Sequence, residues 1–178
     1  MNALRTALLV TLAAALAGCG FHPRGAVVLP ESMARTELRG IDPHGELAAE
    51  IAAVLTDAGA QVVGPGAAAS AILTLSGERF DRRVASVDGA GKASQYELRY
   101  RLTGQLHGPG GGVLTPAREA SVTRLLNVDA ATALGTASEE ELLRREMQRD
   151  AVRQLVRQLR VAASRAPAAQ PAAAQPTP

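Results

Sequence analysis

Aromatic side chains are scarce in this chain, which has two phenylalanines, two tyrosines and no tryptophan among 178 residues. Proteins that bind single-stranded nucleic acid stack the bases on aromatic rings, so the scarcity argues against such a surface. It also weakens the case for an aromatic-lined sugar groove. A strong net charge is lacking too, since 19 basic residues oppose 17 acidic ones. So close a balance creates no general field for a polyanion, and we expect no nucleic-acid partner.

Cysteine is nearly absent, and Cys19 has no second cysteine with which to form a disulfide. A chain of this length, 47% of it hydrophobic, buries enough surface to be stable without disulfides or a metal. We therefore expect one globular domain whose single cysteine serves another purpose.

No apolar run in the sequence is long enough to cross a membrane as a permanent helix. The run near the start extends from Ala7 to Leu16, about half of the roughly 20 residues that a bilayer requires. It follows Arg5 and precedes small residues, an order typical of a secretory signal peptide. We predict that residues 1–18 are this signal and are removed.

The cleavage region Leu16-Ala17-Gly18-Cys19 resembles the bacterial lipobox. In signals of that kind the cysteine thiol is alkylated with diacylglycerol, a reaction that needs a nucleophilic thiolate. Cys19 is thus the predicted lipidation site; the alternative is an ordinary buried cysteine behind a non-lipid signal. Gly20 stands where inner-membrane lipoproteins have aspartate, so the resemblance points to the periplasmic side of the outer membrane. The acyl chains would provide a stable anchor.

The other end of the sequence is of low complexity. Residues 166–178 contain alanine, proline, glutamine and threonine without a charged or large apolar side chain. Such a segment cannot offset the entropy lost on ordering, so we predict a disordered tail. The predicted folded domain is therefore 19–165.

The spacing of apolar residues predicts two helices. Residues 45–58 have apolar positions at helical spacing, and a short strand is expected before them over 35–41. A second, longer helix is expected to begin at Ser138, which forms a capping-box pattern with Glu141 three residues later. This helix is expected to end near Ala163.

Between the helices the pattern is that of long antiparallel strands. Apolar and polar residues alternate from Gln95 to Leu106, so the even-numbered positions are predicted to face the core. The preceding run, 70–87, changes phase near Gly77, which predicts a bulge or a bend. Two turns and a further strand complete the pattern, at 88–91, 108–112 and 120–128. The expected fold class is α+β, with two helices packed on one face of a mostly antiparallel sheet of about four strands and a polar opposite face.

No arrangement of residues in the sequence predicts an enzyme or a metal centre. The three histidines are scattered and lack carboxylates at a metal-ligand spacing. Gly91-Lys92 lacks both the first glycine and the hydroxyl residue of a phosphate-binding loop, and no nucleophile elbow is present. We predict a non-enzymatic protein with no catalytic residue, no metal and no cofactor.

Basic residues are the remaining candidates for a binding surface. One group lies on the predicted hairpin and its tip, at Arg79, Arg82, Arg83, Lys92, Arg99 and Arg101. If these side chains share one surface, their geometry suits phosphate. The alternative is a solvated strand face balanced by Glu78, Asp81 and Glu97. A second group lies on the second helix, at Arg144, Arg145, Arg149, Arg153, Arg157 and Arg160. It is either a solvated helix face or a surface for a partner or anionic headgroups.

Three segments together resemble the LptE family of lipopolysaccharide-assembly lipoproteins. The first is the lipobox followed directly by GFHPRG at 20–25, and the second is VASVDGAGKASQYEL at 84–98. The third is Ala133-Leu134 with three glutamates at 139–141, leading into a helix that ends QLVRQLR. The order and spacing of these segments extend the resemblance from residue 16 to about residue 161.

The resemblance implies a non-enzymatic lipoprotein that plugs the outer-membrane barrel LptD, helps to assemble it and assists delivery of lipopolysaccharide to the outer leaflet. It also implies that basic residues near the hairpin tip and before the second helix contact lipopolysaccharide. Lys92 is the tip cation here and, with Arg82 and Arg83, forms the candidate lipopolysaccharide site, whereas Thr136 stands before the predicted helix. The alternative is an envelope scaffold lipoprotein that binds peptidoglycan or another periplasmic complex.

Overall fold

A computed structural model describes residues 29–128 and 133–165. Its elements are a 3-10 turn, five strands and two helices, in the order Glu31–Met33, β1 (Arg35–Arg39), α1 (Glu46–Asp57), β2 (Gln61–Val63), β3 (Ala71–Val87), β4 (Ala93–His107), β5 (Arg118–Asn127) and α2 (Ala133–Arg165). The α+β class with two helices on one sheet is confirmed. The predicted lipidation site Cys19, the signal 1–18 and the tail 166–178 lie outside the described residues.

The sheet has five strands in the order β2-β1-β3-β4-β5. Strands β3, β4 and β5 are antiparallel, as expected, but β1 runs parallel to both β2 and β3. The sheet is therefore mixed and has one strand more than the four we expected. Strand β2 escaped prediction because Gln61–Val63 is three residues long, too short to show an alternating pattern.

Helix α1 and the hairpin formed by β3 and β4 match the sequence pattern closely. In α1 the buried side chains of Leu47, Ile51 and Leu55 recur every fourth residue, so one stripe of the helix faces the core. In β4 the even-numbered residues from 98 to 106 are buried while their odd-numbered neighbours are partly exposed. The predicted break in β3 is confirmed, since its register against β4 shifts between Ser76 and Arg79.

Helix α2 begins earlier than predicted. Its first residue is Ala133, so Ser138 and Thr136 lie inside the helix, and the prediction of a capping box at Ser138 is wrong. Alanine and leucine at 133 and 134 are strong helix formers, which favours the longer helix. Its buried stripe has Met147, Ala151, Leu155 and Leu159 at every fourth residue, and Val152 beside Ala151 is fully buried too.

Both helices and the sheet share one hydrophobic core. Helix α2 crosses β4 closely because β4 has a glycine at the contact: a Cβ on Gly104 would lie 3.0 Å from Leu155 Cδ2 and 3.3 Å from Leu73 Cδ1. Neither described helix is both long and apolar enough to cross a bilayer.

Gly40, directly after β1, is the described position at which the backbone most strictly requires glycine. Its φ is +85°, and a Cβ there would lie 2.2 Å from the carbonyl oxygen of Leu75 on β3. We expect Gly40→Ala to lower the free energy of unfolding by about 3 kcal/mol or more, because left-handed strain adds to a clash with backbone. Urea unfolding followed by circular dichroism measures this.

Gly66→Ala is the matched control. Gly66 has a similar φ of +81°, but a Cβ added there would have no atom within 4 Å, so this variant isolates the conformational cost of about 1–2 kcal/mol. Equal losses in the two variants would contradict a role for the contact between Gly40 and β3.

Candidate binding surface

The outer half of the hairpin ends in a tight turn built around one carboxylate. Asp88 Oδ1 accepts hydrogen bonds from the backbone N–H groups of Ala90, at 2.8 Å, and Lys92, at 2.9 Å. The backbone N–H of Asp88 also donates to the carbonyl oxygen of Lys92, at 2.8 Å. The backbone at Lys92 is thereby fixed, while its side chain is exposed.

The two faces of the hairpin present different basic residues. Arg82 lies opposite Leu98 of β4, so it is on the core face, whereas Arg83 lies opposite Glu97 on the outer face. Successive strand residues point to opposite faces. The six basic residues considered in the sequence therefore do not all share one surface, because Arg82 lies on the core face. The outer face presents four arginines together: Arg79, Arg83, Arg99 and Arg101.

On the outer face these four guanidinium groups share two carboxylates. Asp81 accepts hydrogen bonds from Arg79, at 2.6 Å, and from Arg101, at 3.0 Å. Hydrogen bonding, chiefly from Arg79, lowers the pKa of Asp81. Of the three carboxylates considered as balancing charges, Asp81 and Glu97 pair with these arginines. Four arginines against two carboxylates leave an excess of positive charge.

Glu97 is the second carboxylate of this cluster. It accepts hydrogen bonds from Arg83, at 3.0 Å, and from Arg99, at 3.1 Å. The bond from Arg83 is the main cause of its lowered pKa. Nearby, Arg101 Nε is buried and has no hydrogen-bond partner among the residues described. The cluster is a strongly hydrogen-bonded, cationic strand surface.

Arg82 has a different environment on the core face. Its Nη1 donates to Glu140 Oε2 of α2, at 2.6 Å, and its Cζ lies 3.9 Å from the centre of the Tyr96 ring. The pKa of Arg82 is raised, chiefly by the hydrogen bond to Glu140. On β5, Arg124 likewise donates to Asp150 of α2, at 2.8 Å. Arg82 and Arg124 therefore fasten α2 to the two strands that flank β4, a role that sequence reasoning missed.

Glu78 does not balance the arginines as expected. Its Oε1 accepts a hydrogen bond of 2.7 Å from the hydroxyl of Tyr100, a side chain that is 1% exposed. Burial is the main cause of the raised pKa of Tyr100, followed by the bond to Glu78. Glu78, together with Gly40 and Arg144, also lines a cleft of about 380 Å³. The phenol is held neutral and serves as a hydrogen-bond donor.

The described residues contain no group of three or more histidine, cysteine, aspartate or glutamate side chains that could hold a metal ion. What the hairpin does offer is cationic: an exposed lysine at the tip and an arginine-rich outer face. Guanidinium groups bind phosphate and carboxylate oxygens through paired hydrogen bonds. The surface is thus suited to anionic partners.

Comparison with known proteins gives a consistent result. The family model LptE, described as lipopolysaccharide-assembly, matches residues 34–159. The LPS-assembly lipoprotein LptE of Photorhabdus laumondii is 33% identical over 156 residues, which cover 88% of this chain and 82% of that protein. The protein of the same name from Yersinia enterocolitica is 32% identical over 162 residues, which cover 90% of this chain and 75% of that protein.

Solved structures with the same fold are also known. The solution structure of an uncharacterized lipoprotein B from Nitrosomonas europaea aligns with a TM-score of 0.68 and 29% identity, covering 82% of this chain and 94% of that one. The crystal structure of the rare lipoprotein B from Shewanella oneidensis aligns with a TM-score of 0.61 and 23% identity, covering 70% of this chain and 92% of that one. The second likeness concerns the fold alone.

The different surroundings of Arg82 and Arg83 give a direct test. We expect Arg82→Gln to lower the free energy of unfolding by about 1 kcal/mol, because it removes the bond to Glu140 and the contact with the Tyr96 ring. Arg83→Gln is the control on the outer face and should leave the urea midpoint unchanged. Equal destabilisation of the two variants would contradict the assignment of Arg82 as the link to α2.

Proposed function

Because the chain belongs to the LptE family of lipopolysaccharide-assembly lipoproteins, we propose that it is the lipoprotein that plugs the outer-membrane barrel LptD. In this role it helps LptD to assemble and assists delivery of lipopolysaccharide to the outer leaflet, without catalysing a reaction. The observation that supports the proposal most is the extent of the family match, since residues 34–159 include all five strands and most of α2.

The polarity of the outer sheet face supports the proposal that the domain lies inside the barrel. The lumen of an outer-membrane barrel is polar, and a plug must present polar groups to it. The outer face of the hairpin consists of the paired arginines and carboxylates described above, and it continues along β4 with Thr103 and Gln105. The apolar residues of β4 lie on the other face, beneath α2, so this face has the polarity that a lumen requires.

We propose that Cys19 is lipidated and anchors the chain at the periplasmic side of the outer membrane. The order of charge, apolar run and small residues before Cys19 supports this, as does Gly20 after it. Two or three acyl chains make such an anchor stable, whereas one chain would bind marginally. Residues 1–18 are then the signal, 19–165 the domain and 166–178 a disordered tail.

For lipopolysaccharide we propose contact at the hairpin tip through Lys92, with Arg83 and Arg82 nearby. Lys92 is exposed, and among the described residues no carboxylate pairs with its side chain. Arg83 is exposed but shares Glu97 with Arg99. Arg82 is already engaged by Glu140, so we rank it third. Phosphate groups of lipopolysaccharide are the chemical partners that these cations fit.

The proposed complex predicts a stable association. We expect the tagged chain, extracted from envelopes in mild detergent, to copurify with LptD in a one-to-one ratio, and depletion of the chain to reduce both folded barrel and lipopolysaccharide export. Mass measurement of the complex gives the ratio. Normal barrel folding and export after depletion would contradict the proposal. Retention on cell-wall material without a barrel would instead support a scaffold lipoprotein.

The proposed lipopolysaccharide contact predicts graded losses of affinity. Each exposed cation contributes a fraction of a kcal/mol up to about 1 kcal/mol, so Lys92→Ala should weaken binding in vitro by about two- to fivefold. Combining it with Arg82→Ala and Arg83→Ala should weaken binding further. Arg149→Ala on α2 is the control and should bind as the parent does. Unchanged affinity in the triple variant would mean that these residues are a solvated strand face.

A further inference from the structure

Strand β5 is the long free edge of the sheet. Among the described residues no strand pairs with its outer side, and β2 at the opposite edge has three residues where β5 has ten. At about 3.4 Å per residue, β5 presents an edge of roughly 34 Å. It contains no proline, a residue that would interrupt backbone hydrogen bonding to an added strand. An unpaired edge of this kind is a template for another strand.

A groove runs between this edge and the C-terminal half of α2. It consists of two adjoining cavities of about 910 Å³ and about 350 Å³, which share Gln154 and Arg157 as lining residues. Leu114 and Val161 give the larger cavity an apolar part. A peptide laid along the edge of β5 would therefore also contact α2.

The groove is rich in positive charge. Five arginines and two carboxylates line it: Arg118, Arg124, Arg153, Arg157, Arg165, Glu119 and Asp150. Asp150 is already shared by Arg124, at 2.8 Å, and Arg153, at 2.6 Å. The other three arginines are exposed, and none forms an ion pair with a residue in the described ranges. Because their guanidinium groups are not neutralised by a carboxylate, these three arginines can bind an anionic partner in the groove.

We propose that the free edge of β5 binds an extended acidic segment of a partner protein as an added strand. Every second side chain of such a strand points toward α2, the side on which Arg118 and Arg124 of β5 lie. Acidic residues at these positions reach Arg118 and Arg157 and form charge-assisted hydrogen bonds. The backbone bonds to β5 supply affinity, and the carboxylates supply selectivity.

The charges of the groove disfavour other occupants. A second copy paired through β5 would bring like-charged arginines together, which opposes association. The chain's own residues 166–178 follow Arg165 directly, but they contain no acidic side chain and four prolines. Proline cannot donate to a strand ladder.

The groove is separate from the hairpin tip, so failure of binding here leaves the proposed function untouched.

The test uses the full lipoprotein in detergent and a labelled ten-residue peptide in which glutamate and threonine alternate. We expect saturable binding by fluorescence anisotropy, with new protection from hydrogen exchange along β5. A peptide of five glutamates followed by five threonines has the same charge without the alternation, and it should bind at least tenfold more weakly. Equal affinity for both peptides, or binding without protection of β5, would overturn strand addition.

Charge reversals locate the site. Arg118→Glu combined with Arg157→Glu should weaken binding at least tenfold. Arg35→Glu combined with Arg149→Glu makes the same change in net charge outside the groove and should leave affinity unchanged. Equal losses in the two pairs would overturn the assignment. Displacement of the bound peptide from the parent protein by lipopolysaccharide would also overturn it. So would peptide binding seen only after removal of residues 166–178, or dimers in sedimentation that the first pair dissociates.

Discussion

The contact between β4 and α2 is the one on which the rest of the molecule depends. Strand β4 pairs with β3 on one side and with β5 on the other, so whatever fixes β4 fixes the whole antiparallel part of the sheet. Its buried leucines at 98, 102 and 106 lie in the same core as Met147 and Leu155 of α2. Removing any of these large side chains would open a cavity shared by helix and sheet, which is costly because interiors are close-packed.

Arginine serves two different purposes on the two faces of the sheet. On the core face Arg82 and Arg124 each reach across to a carboxylate of α2, which orients the helix on the distal part of the sheet. On the outer face the arginines share Asp81 and Glu97 with their strand neighbours. The same residue type therefore gives attachment on one side and a cationic surface on the other, and the alternation of the strand decides which.

Several elements could be predicted from the sequence because their signals are local. The alternation in β4 and the spacing in α1 follow from which side chains are buried at periods of two and about four residues. The parallel strand β2 could not be found, since three residues carry no period and its pairing with β1 is set by the return of α1. The face on which Arg82 lies and the hydrogen-bond partner of Glu78 could not be predicted either. Both depend on the register between β3 and β4, which is set by long-range pairing.

The irregularity in β3 has a consequence for the largest side chain of the core. The register shift leaves residues 77 and 78 without partners on β4, and Glu78 is the residue that accepts the hydrogen bond of Tyr100. A regular ladder at this point would provide no spare residue, and the phenol would be buried without an acceptor at a cost of about 1–3 kcal/mol. The bulge thus supplies the hydrogen-bond acceptor that water supplies to a tyrosine at a surface. It allows one of the few aromatic side chains of this protein to be buried completely.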